Sequence, residues 1–145
     1  MKDIVIRQER ITAEEYTAFL RRTDLGSQYP RERFEERITR LVKNASVSLT
    51  ARDEDGLLVG ICFGITDFAY WLFVTDLGVD RAYTGRGIGG RLLRQCLEAA
   101  GGADDIILYT CANSKAIPFY EHMGLTRSAD VMEYNHAEWT SFTIE

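Results

Sequence analysis

The chain has 145 residues, of which 46% are hydrophobic and 27% are charged, so it can build an apolar core and is not intrinsically disordered. This length fits a single domain over residues 1–145. The net charge of −5 and the pI near 5.1 argue against nucleic acid as a partner, because a phosphate backbone is bound by basic surfaces.

Cysteine and histidine are too few and too widely spaced for a disulfide framework, and their spacing fits no metal site, so no metal is expected. The three cysteines are Cys62, Cys96 and Cys111, each within an apolar stretch, where a core position is expected. This usage is typical of a reduced, cytoplasmic protein. The first seven residues contain Asp3 and Arg7 where a signal peptide needs an apolar run.

The segment Gly56–Thr75 holds a single charge, Asp67, and is long enough for a membrane helix. A carboxylate near its middle would be costly in lipid, and the segment is rich in β-branched and aromatic residues. We therefore expect two buried strands joined by a turn near Thr66 and Asp67, and no contact with a membrane.

The first third of the chain predicts a short strand at Ile4–Ile6 followed by two helices. Thr12 and Glu15 have the spacing of a capping box, in which Glu15 reaches back to the helix start, and this helix is expected to run to about Asp24. Apolar residues recurring at helical spacing from Phe34 predict a second helix that ends near Asn44.

The rest of the chain predicts an alternation of strands and helices that makes one α+β domain. A third helix follows the glycine-rich turn at residues 85–90 and stops at residues 101–102, and a short fourth helix with Pro118 in its first turn ends at Gly124. The predicted strands cover 47–51, 57–65, 70–80 and 106–110, and residues 125–134 and 139–144 are expected to close the chain as a pair of strands.

The glycine-rich turn between a strong strand and a strong helix is the most informative segment. Glycines from Gly85 to Gly90 allow a sharp turn whose main-chain N–H groups face an anion at the helix N-terminus. Four arginines and no acidic residue lie between residues 81 and 94, which favours a specific phosphate ligand. The segment lacks the Gly-Lys-Ser/Thr of a nucleotide-binding loop and the later acidic residue of a dinucleotide site.

Two segments together resemble the GNAT superfamily of acyl-CoA-dependent N-acetyltransferases. Thr84-Gly-Arg-Gly-Ile-Gly89 is similar to the family's Gln/Arg-x-x-Gly-x-Gly/Ala signature, with Thr84 at the usual Gln or Arg, and Asn113–Leu125 is similar to its downstream Asn…Tyr…Gly segment. The resemblance covers essentially the whole chain. It implies a central mixed, mostly antiparallel sheet that is splayed between strands 4 and 5 and flanked by four helices.

The resemblance also implies how acetyl-CoA, the acyl donor, is held. Backbone groups of Leu77, Gly78 and Val79 would pair with the pantetheine, and a strand bulge at these residues would splay the sheet. Asn113 would contact CoA beyond the next strand, and Arg86 would replace the charge missing at Thr84. The diphosphate would bind the backbone of the remaining turn residues, namely Gly85, Arg86, Gly87, Ile88, Gly89 and Gly90.

Tyr120 is implied to be the general acid, carried over from the family's tyrosine, since a phenol is protonated at neutral pH and can protonate a leaving thiolate. For the general base the residues leave alternatives open. Asp76 is the first choice, because a carboxylate among Trp71, Phe73 and Leu77 would have a raised pKa. The alternative general bases are Asp67 and a chain of waters. The resemblance implies direct transfer in a ternary complex.

Three functions stay open at this point. The first is acetyl transfer from acetyl-CoA to a primary amine of a small molecule. The net acidity of the chain would suit a cationic amine. The second is acetylation of a protein or peptide, and the third is a CoA-binding module without catalysis. The acceptor site is implied to lie at Thr23–Pro30, the first two helices and the last hairpin. The protein is expected to be a monomer or a homodimer.

Overall fold

The computed structural model describes residues 3–25, 29–137 and 144, and this part of the chain forms five strands and four helices. Their order confirms the prediction up to residue 124. The elements are β1 (Val5–Gln8), α1 (Ala13–Leu20), α2 (Phe34–Asn44), β2 (Val47–Arg52), β3 (Leu58–Thr66), β4 (Trp71–Val79), α3 (Ile88–Ala100), β5 (Ile107–Thr110) and α4 (Ile117–His122).

Helix α1 begins as the sequence predicts but ends earlier. The hydroxyl of Thr12 accepts a hydrogen bond of 3.0 Å from the backbone N–H of Glu15. The carboxylate of Glu15 does not reach back to the helix start, because it pairs with Arg52 of β2 at 2.9 Å. The helix stops at Leu20 and not near Asp24, since the next residues tighten into turns with i→i+3 hydrogen bonds.

The strands form one sheet in the order β1-β2-β3-β4-β5. All neighbouring pairs are antiparallel except β4 and β5, which run parallel over Trp71–Val74. Strand β4 continues to Val79, so its last five residues extend beyond the pairing with β5. The mixed, mostly antiparallel sheet that is splayed between strands 4 and 5 is therefore confirmed.

Helices cover both faces of this sheet and bury two apolar clusters. Helix α3 packs on one face through Ile88, Leu92 and Cys96, and helices α1 and α2 pack on the other through residues such as Phe19 and Ile38. The amphipathic spacing of α2 and α3 explains this division, because each helix places its apolar residues on the side that meets the sheet. The site described below lies where β4 passes between these two layers.

The predicted strand over Leu125–Tyr134 is wrong. Residues 125–137 form no strand, and the large apolar side chains of this segment stay exposed: Val131 by 59%, Met132 by 94% and Tyr134 by 90%. A cavity of about 610 Å³ separates residues 124–128 and Val131 from β5, so no backbone ladder joins them. The partner strand predicted over Trp139–Ile144 lies outside the described residues except for Ile144, which packs against the cluster under α1 and α2.

The apolar segment 56–75 forms β3, a turn and the start of β4, as its composition predicts. The carboxylate of Asp67 accepts hydrogen bonds from the backbone N–H groups of Ala69, Tyr70 and Trp71 and closes this turn. Within the described ranges, no helix is both long and apolar enough to cross a membrane.

Candidate active site

A β-bulge at Thr75 sets the geometry of the site. Phe63 of β3 pairs with Asp76, and the next residue of β3, Gly64, pairs with Val74, so Thr75 is the extra residue. The bulge lies at the last residue pair of β4 and β5, and not at Leu77–Val79 where it was expected. It therefore marks the point where β4 leaves β5.

The bulge also decides which face of the sheet Asp76 occupies. Leu72 and Val74 face α3, and strict alternation would place Asp76 with them. Because one residue is inserted, Asp76 instead shares a face with its cross-strand partner Phe63, which packs against α1 and α2. Leu77 then faces α3.

Asp76 is only 3% exposed and is held by hydroxyl groups. The Tyr29 hydroxyl donates a hydrogen bond to one carboxylate oxygen, and the Thr75 hydroxyl donates to the other at 2.7 Å. The Tyr16 and Tyr29 oxygens lie 2.6 Å apart, and Tyr16 is the donor because Tyr29 has already given its hydrogen to Asp76. A chain of two phenols thus ends on this carboxylate.

These surroundings differ from the predicted ones. Trp71 and Phe73 are 49% and 40% exposed, and Leu77 lies on the opposite face of the sheet, so they do not form an apolar pocket around Asp76. Burial, followed by the charges of Tyr16 and Asp76, raises the pKa of Tyr29 well above its ordinary value. Tyr29 therefore keeps its proton and remains a donor to the carboxylate.

Tyr120 lies on α4 next to the end of β5. The side chain is partly buried against the α3 cluster and lines the cavity of about 610 Å³ together with Thr110, the last residue of β5. Burial raises the pKa of Tyr120, the polar side chain of Thr110 opposes this, and electrostatic repulsion from Cys62 and Asp76 raises it further. The phenol is therefore protonated at neutral pH.

The N-terminus of α3 is open to an anion. Gly87 precedes the helix in the left-handed region (φ 77°), and no side chain caps the first turn, which contains no acidic residue. Its free N–H groups and the helix dipole fit a diphosphate, which is the group that the sequence predicted here. Gly89 and Gly90 let the helix approach Phe119 and Met123 closely, which places this turn beside α4.

Of the four arginines in this region, Arg81 is not available to a ligand. Its side chain pairs with Asp24 at 2.8 Å and donates to the carbonyl of Thr23, tying the end of β4 to the end of α1. Arg86 is exposed and lies over the ring of Tyr83, 4.8 Å from its centroid, beside the open helix end. The hydroxyl of Thr84 donates to the Arg81 carbonyl, so Thr84 shapes the turn.

Asn113 begins the last helical segment. Its side-chain oxygen accepts hydrogen bonds from the backbone N–H groups of Lys115 and Ala116, at 3.0 and 2.9 Å. The amide nitrogen of this exposed side chain makes no hydrogen bond with the described residues. The role of Asn113 in binding CoA stays a prediction.

The cysteines divide into two kinds. Cys62 and Cys96 are buried in the core as expected, but Cys111 is exposed, because β5 ends one residue before it. The expectation that Cys111 is a core residue is therefore wrong. Cys111 lines a second cavity, of about 590 Å³, whose floor includes Thr75 and Asp76.

The sequence did not reveal the residues that surround the predicted catalytic side chains Asp76 and Tyr120. Thr75, Tyr16 and Thr110 belong to no motif, and Tyr29 lies in the Thr23–Pro30 segment implied for the acceptor site but was given no role of its own. A polar Thr-Asp pair inside an apolar strand was the one signal available, because buried polar residues there need partners. Which side chains supply them depends on how α1, β4 and β5 meet.

Comparison with known proteins agrees with this architecture. The family model described as Acetyltransferase (GNAT) family matches residues 10–125. A protein of Deinococcus radiodurans R1, solved by crystallography, aligns over 92% of this chain and 89% of its own, with 25% identity and a TM-score of 0.71. The GNAT family N-acetyltransferase YhbS of Escherichia coli, solved in complex with CoA, aligns over 86% and 69% with 21% identity and a TM-score of 0.64.

The chain therefore belongs to the GNAT family of acetyltransferases, and the predicted membership is confirmed. Among curated proteins, N-alpha-acetyltransferase RimI of Mycobacterium tuberculosis is 43% identical over 54 residues. This match covers 37% of the chain and 34% of the length of RimI.

Proposed function

We propose that the protein transfers an acetyl group from acetyl-CoA to a primary amine of a small molecule, by direct attack in a ternary complex. The observation that carries this proposal is the meeting of three parts at the β4–β5 gap: the open N-terminus of α3, the protonated Tyr120 and the buried Asp76. The cavity of about 590 Å³ beside Asp76 has the size of a small-molecule site and supports the choice of acceptor.

The donor would bind along the part of β4 that lies beyond β5. Backbone groups of Leu77, Gly78 and Val79 would pair with the pantetheine, and the free N–H groups of residues 85–90 would bind the diphosphate. Arg86 and Asn113 would add side-chain contacts from either side. Acetyl-CoA supplies the activated thioester, and the chain supplies its orientation and the proton transfers.

Asp76 would act as the general base. The nitrogen of the neutral amine attacks the thioester carbon, a C–N bond forms, and the proton on that nitrogen passes to the Asp76 carboxylate. The hydroxyl groups of Tyr29 and Thr75 hold this carboxylate in place through both of its oxygens.

Tyr120 would act as the general acid. As the C–S bond breaks, the phenol gives its proton to the leaving sulfur, so that the products are an amide and free CoA. Proton exchange with water then restores the Tyr120 phenol and the Asp76 carboxylate. The raised pKa of Tyr120 ensures that the proton is present at neutral pH.

The test is a panel of primary amines assayed with acetyl-CoA in wild type and in Tyr120→Phe. The substitution is expected to lower kcat by about 10²–10⁴-fold, since it removes only the proton donor. Tyr109→Phe is the matched control, because Tyr109 also carries a phenol on the neighbouring strand but stacks on Trp71. Free CoA should be measured by chromatography, because the exposed Cys111 would react with a thiol reagent.

Full activity of Tyr120→Phe on a substrate whose chemical step limits the rate would remove Tyr120 from the mechanism. Tight binding of CoA without acetylation of any amine would favour a CoA-binding module. The RimI match favours a second acceptor, the α-amine of a polypeptide, so the panel should include peptides with a free N-terminus. Acetylation of peptides alone would replace the small-molecule proposal.

A further inference from the structure

The cavity of about 590 Å³ has charged groups of opposite sign in its lining. Thr75, Asp76 and Cys111 supply the wall at the β4–β5 gap, and α2 supplies Arg37 and Arg40. The side chains Phe34, Ile38 and Leu41 of the same helix line the cavity as well and make much of its surface apolar. A ligand here would meet a carboxylate, an apolar surface and a guanidinium group.

The two arginines of this cavity differ in what they already bind. Arg40 pairs with Glu36 at 2.8 Å, and Glu36 also lies 3.9 Å from Arg33. Arg37 is exposed and its guanidinium makes no ion pair and no hydrogen bond with any residue from 3–25, 29–137 or 144. Arg37 is therefore the cation in this cavity that an anionic ligand can bind without breaking an existing pair.

We infer that the acceptor is an amine that also carries a carboxylate, with Arg37 binding the carboxylate while the amine faces Asp76. This inference rests on the proposed function and names the substrate class of the same site. A guanidinium group binds a carboxylate through two parallel hydrogen bonds, so it selects for this group as well as attracting it. Phe34, Ile38 and Leu41 would contact an apolar part of the same molecule.

The net charge of the chain does not oppose this assignment. At −5 the protein repels small anions at long range, but the field inside a cavity is set by the groups that line it. Two hydroxyl groups donate hydrogen bonds to Asp76 and offset part of its negative charge. Attraction to Arg37 therefore outweighs repulsion by Asp76 for a carboxylate in this cavity. An acceptor with an amine and a carboxylate also matches both signs of charge, whereas a simple amine matches only one.

The experiment compares amines that differ only in a carboxylate: benzylamine with para-aminomethylbenzoate, and phenethylamine with phenylalanine. In wild type, the compound with the carboxylate should have the higher kcat/KM in at least one pair, by about tenfold or more. Arg37→Ala should reduce this preference to near unity and Arg37→Lys should keep part of it. Lys43→Ala is the matched control, because it removes a cation of α2 that does not line the cavity.

Binding of para-aminomethylbenzoate and phenylalanine to the CoA-saturated protein, measured by calorimetry, separates this inference from the proposed function. If an acid binds to wild type and to Lys43→Ala but not to Arg37→Ala, while no amine is acetylated, Arg37 has the assigned role and the catalytic proposal fails. The inference is overturned if wild type acetylates benzylamine and phenethylamine at least as well as their carboxylate-bearing counterparts. It is also overturned if Arg37→Ala keeps the preference for the carboxylate. Failure of both acids to bind overturns it too.

Discussion

At the scale of single residues, the position of Thr75 in the chain decides the chemistry that Asp76 can perform. Without the extra residue, the carboxylate would point into the apolar cluster under α3, on the opposite face of the sheet from Tyr29. With it, the carboxylate accepts a hydrogen bond from Tyr29 and lines the cavity of about 590 Å³. A bulge next to a functional site is a common way to re-aim a side chain.

Asp76→Asn should lower kcat/KM by about 10²–10⁴-fold, because the amide keeps the shape of the side chain but takes up no proton. The measurement is acetyl transfer to the best amine of the panel, with CoA affinity determined separately. Asp67→Asn is the control, since it makes the same change in the β3–β4 turn, where the amide oxygen can still accept the backbone hydrogen bonds. Wild-type activity of Asp76→Asn would exclude Asp76 as the base, and a loss of activity in Asp67→Asn alone would favour Asp67, the alternative base.

At the scale of elements, the N-terminus of α3 combines an unusual backbone with an absent cap. Most helices satisfy their first N–H groups with a serine, threonine or aspartate, and α3 has Gly87 in the left-handed region instead. The helix is kept in place by the burial of Ile88, Leu92 and Cys96, so it does not need a cap of its own. The first turn can therefore serve a ligand.

Gly87→Ala should destabilise the protein by about 1–2 kcal/mol, because an alanine at φ 77° is strained, and should weaken CoA binding by about tenfold. Gly56→Ala is the matched control. Gly56 has φ 85° and, like Gly87, open space where a Cβ would stand, but it lies in the β2–β3 turn. Chemical denaturation and calorimetry with CoA give the two quantities. Equal losses of CoA affinity in both variants would mean that only stability was affected.

At the scale of the whole molecule, one ionic network ties the ends of three elements together. Arg52 of β2 pairs with Glu9, which follows β1, at 2.6 Å, and with Glu15 of α1 at 2.9 Å. Thr50 adds a hydrogen bond to Glu9 at 2.5 Å. Because the charged groups are only partly exposed, this network contributes more than an ordinary surface ion pair.

This network predicts how stability depends on pH. Burial alone would raise the pKa of Glu9, but the hydrogen bonds from Arg52 and Thr50 and the charge of Arg52 outweigh burial and lower it. The carboxylate therefore stabilises the fold above its ordinary pKa of about 4.5, and this contribution is lost as pH falls through the lower value of the folded state.

The prediction is tested by urea unfolding from about pH 6 to about pH 3. Glu9→Gln should be less stable than wild type at the upper end of this range, and the difference in unfolding free energy should shrink as pH falls. Glu54→Gln in the exposed β2–β3 turn is the control and should follow wild type throughout. A constant difference between Glu9→Gln and wild type would show that the charge of Glu9 does not contribute.

Much of this protein is determined by local sequence. The helices and strands up to residue 124, the class of fold and the family could be predicted, because hydrophobic periodicity and the glycine-rich turn act over short stretches of chain. Local sequence misled at Leu125–Tyr134, since a segment forms a strand only where a neighbouring strand can pair with it.

Tertiary structure alone decided how the site is assembled. The bulge at Thr75 pairs β3 with β4, and the phenol chain runs from Tyr16 through Tyr29 to Asp76. Arg37 of α2 lines the same cavity as Asp76, so the site combines residues that lie far apart in the sequence. The physical reason is that a buried polar group takes whichever partner the packing of the helices and the sheet brings within hydrogen-bond distance. No pattern of residues along the chain encodes that distance.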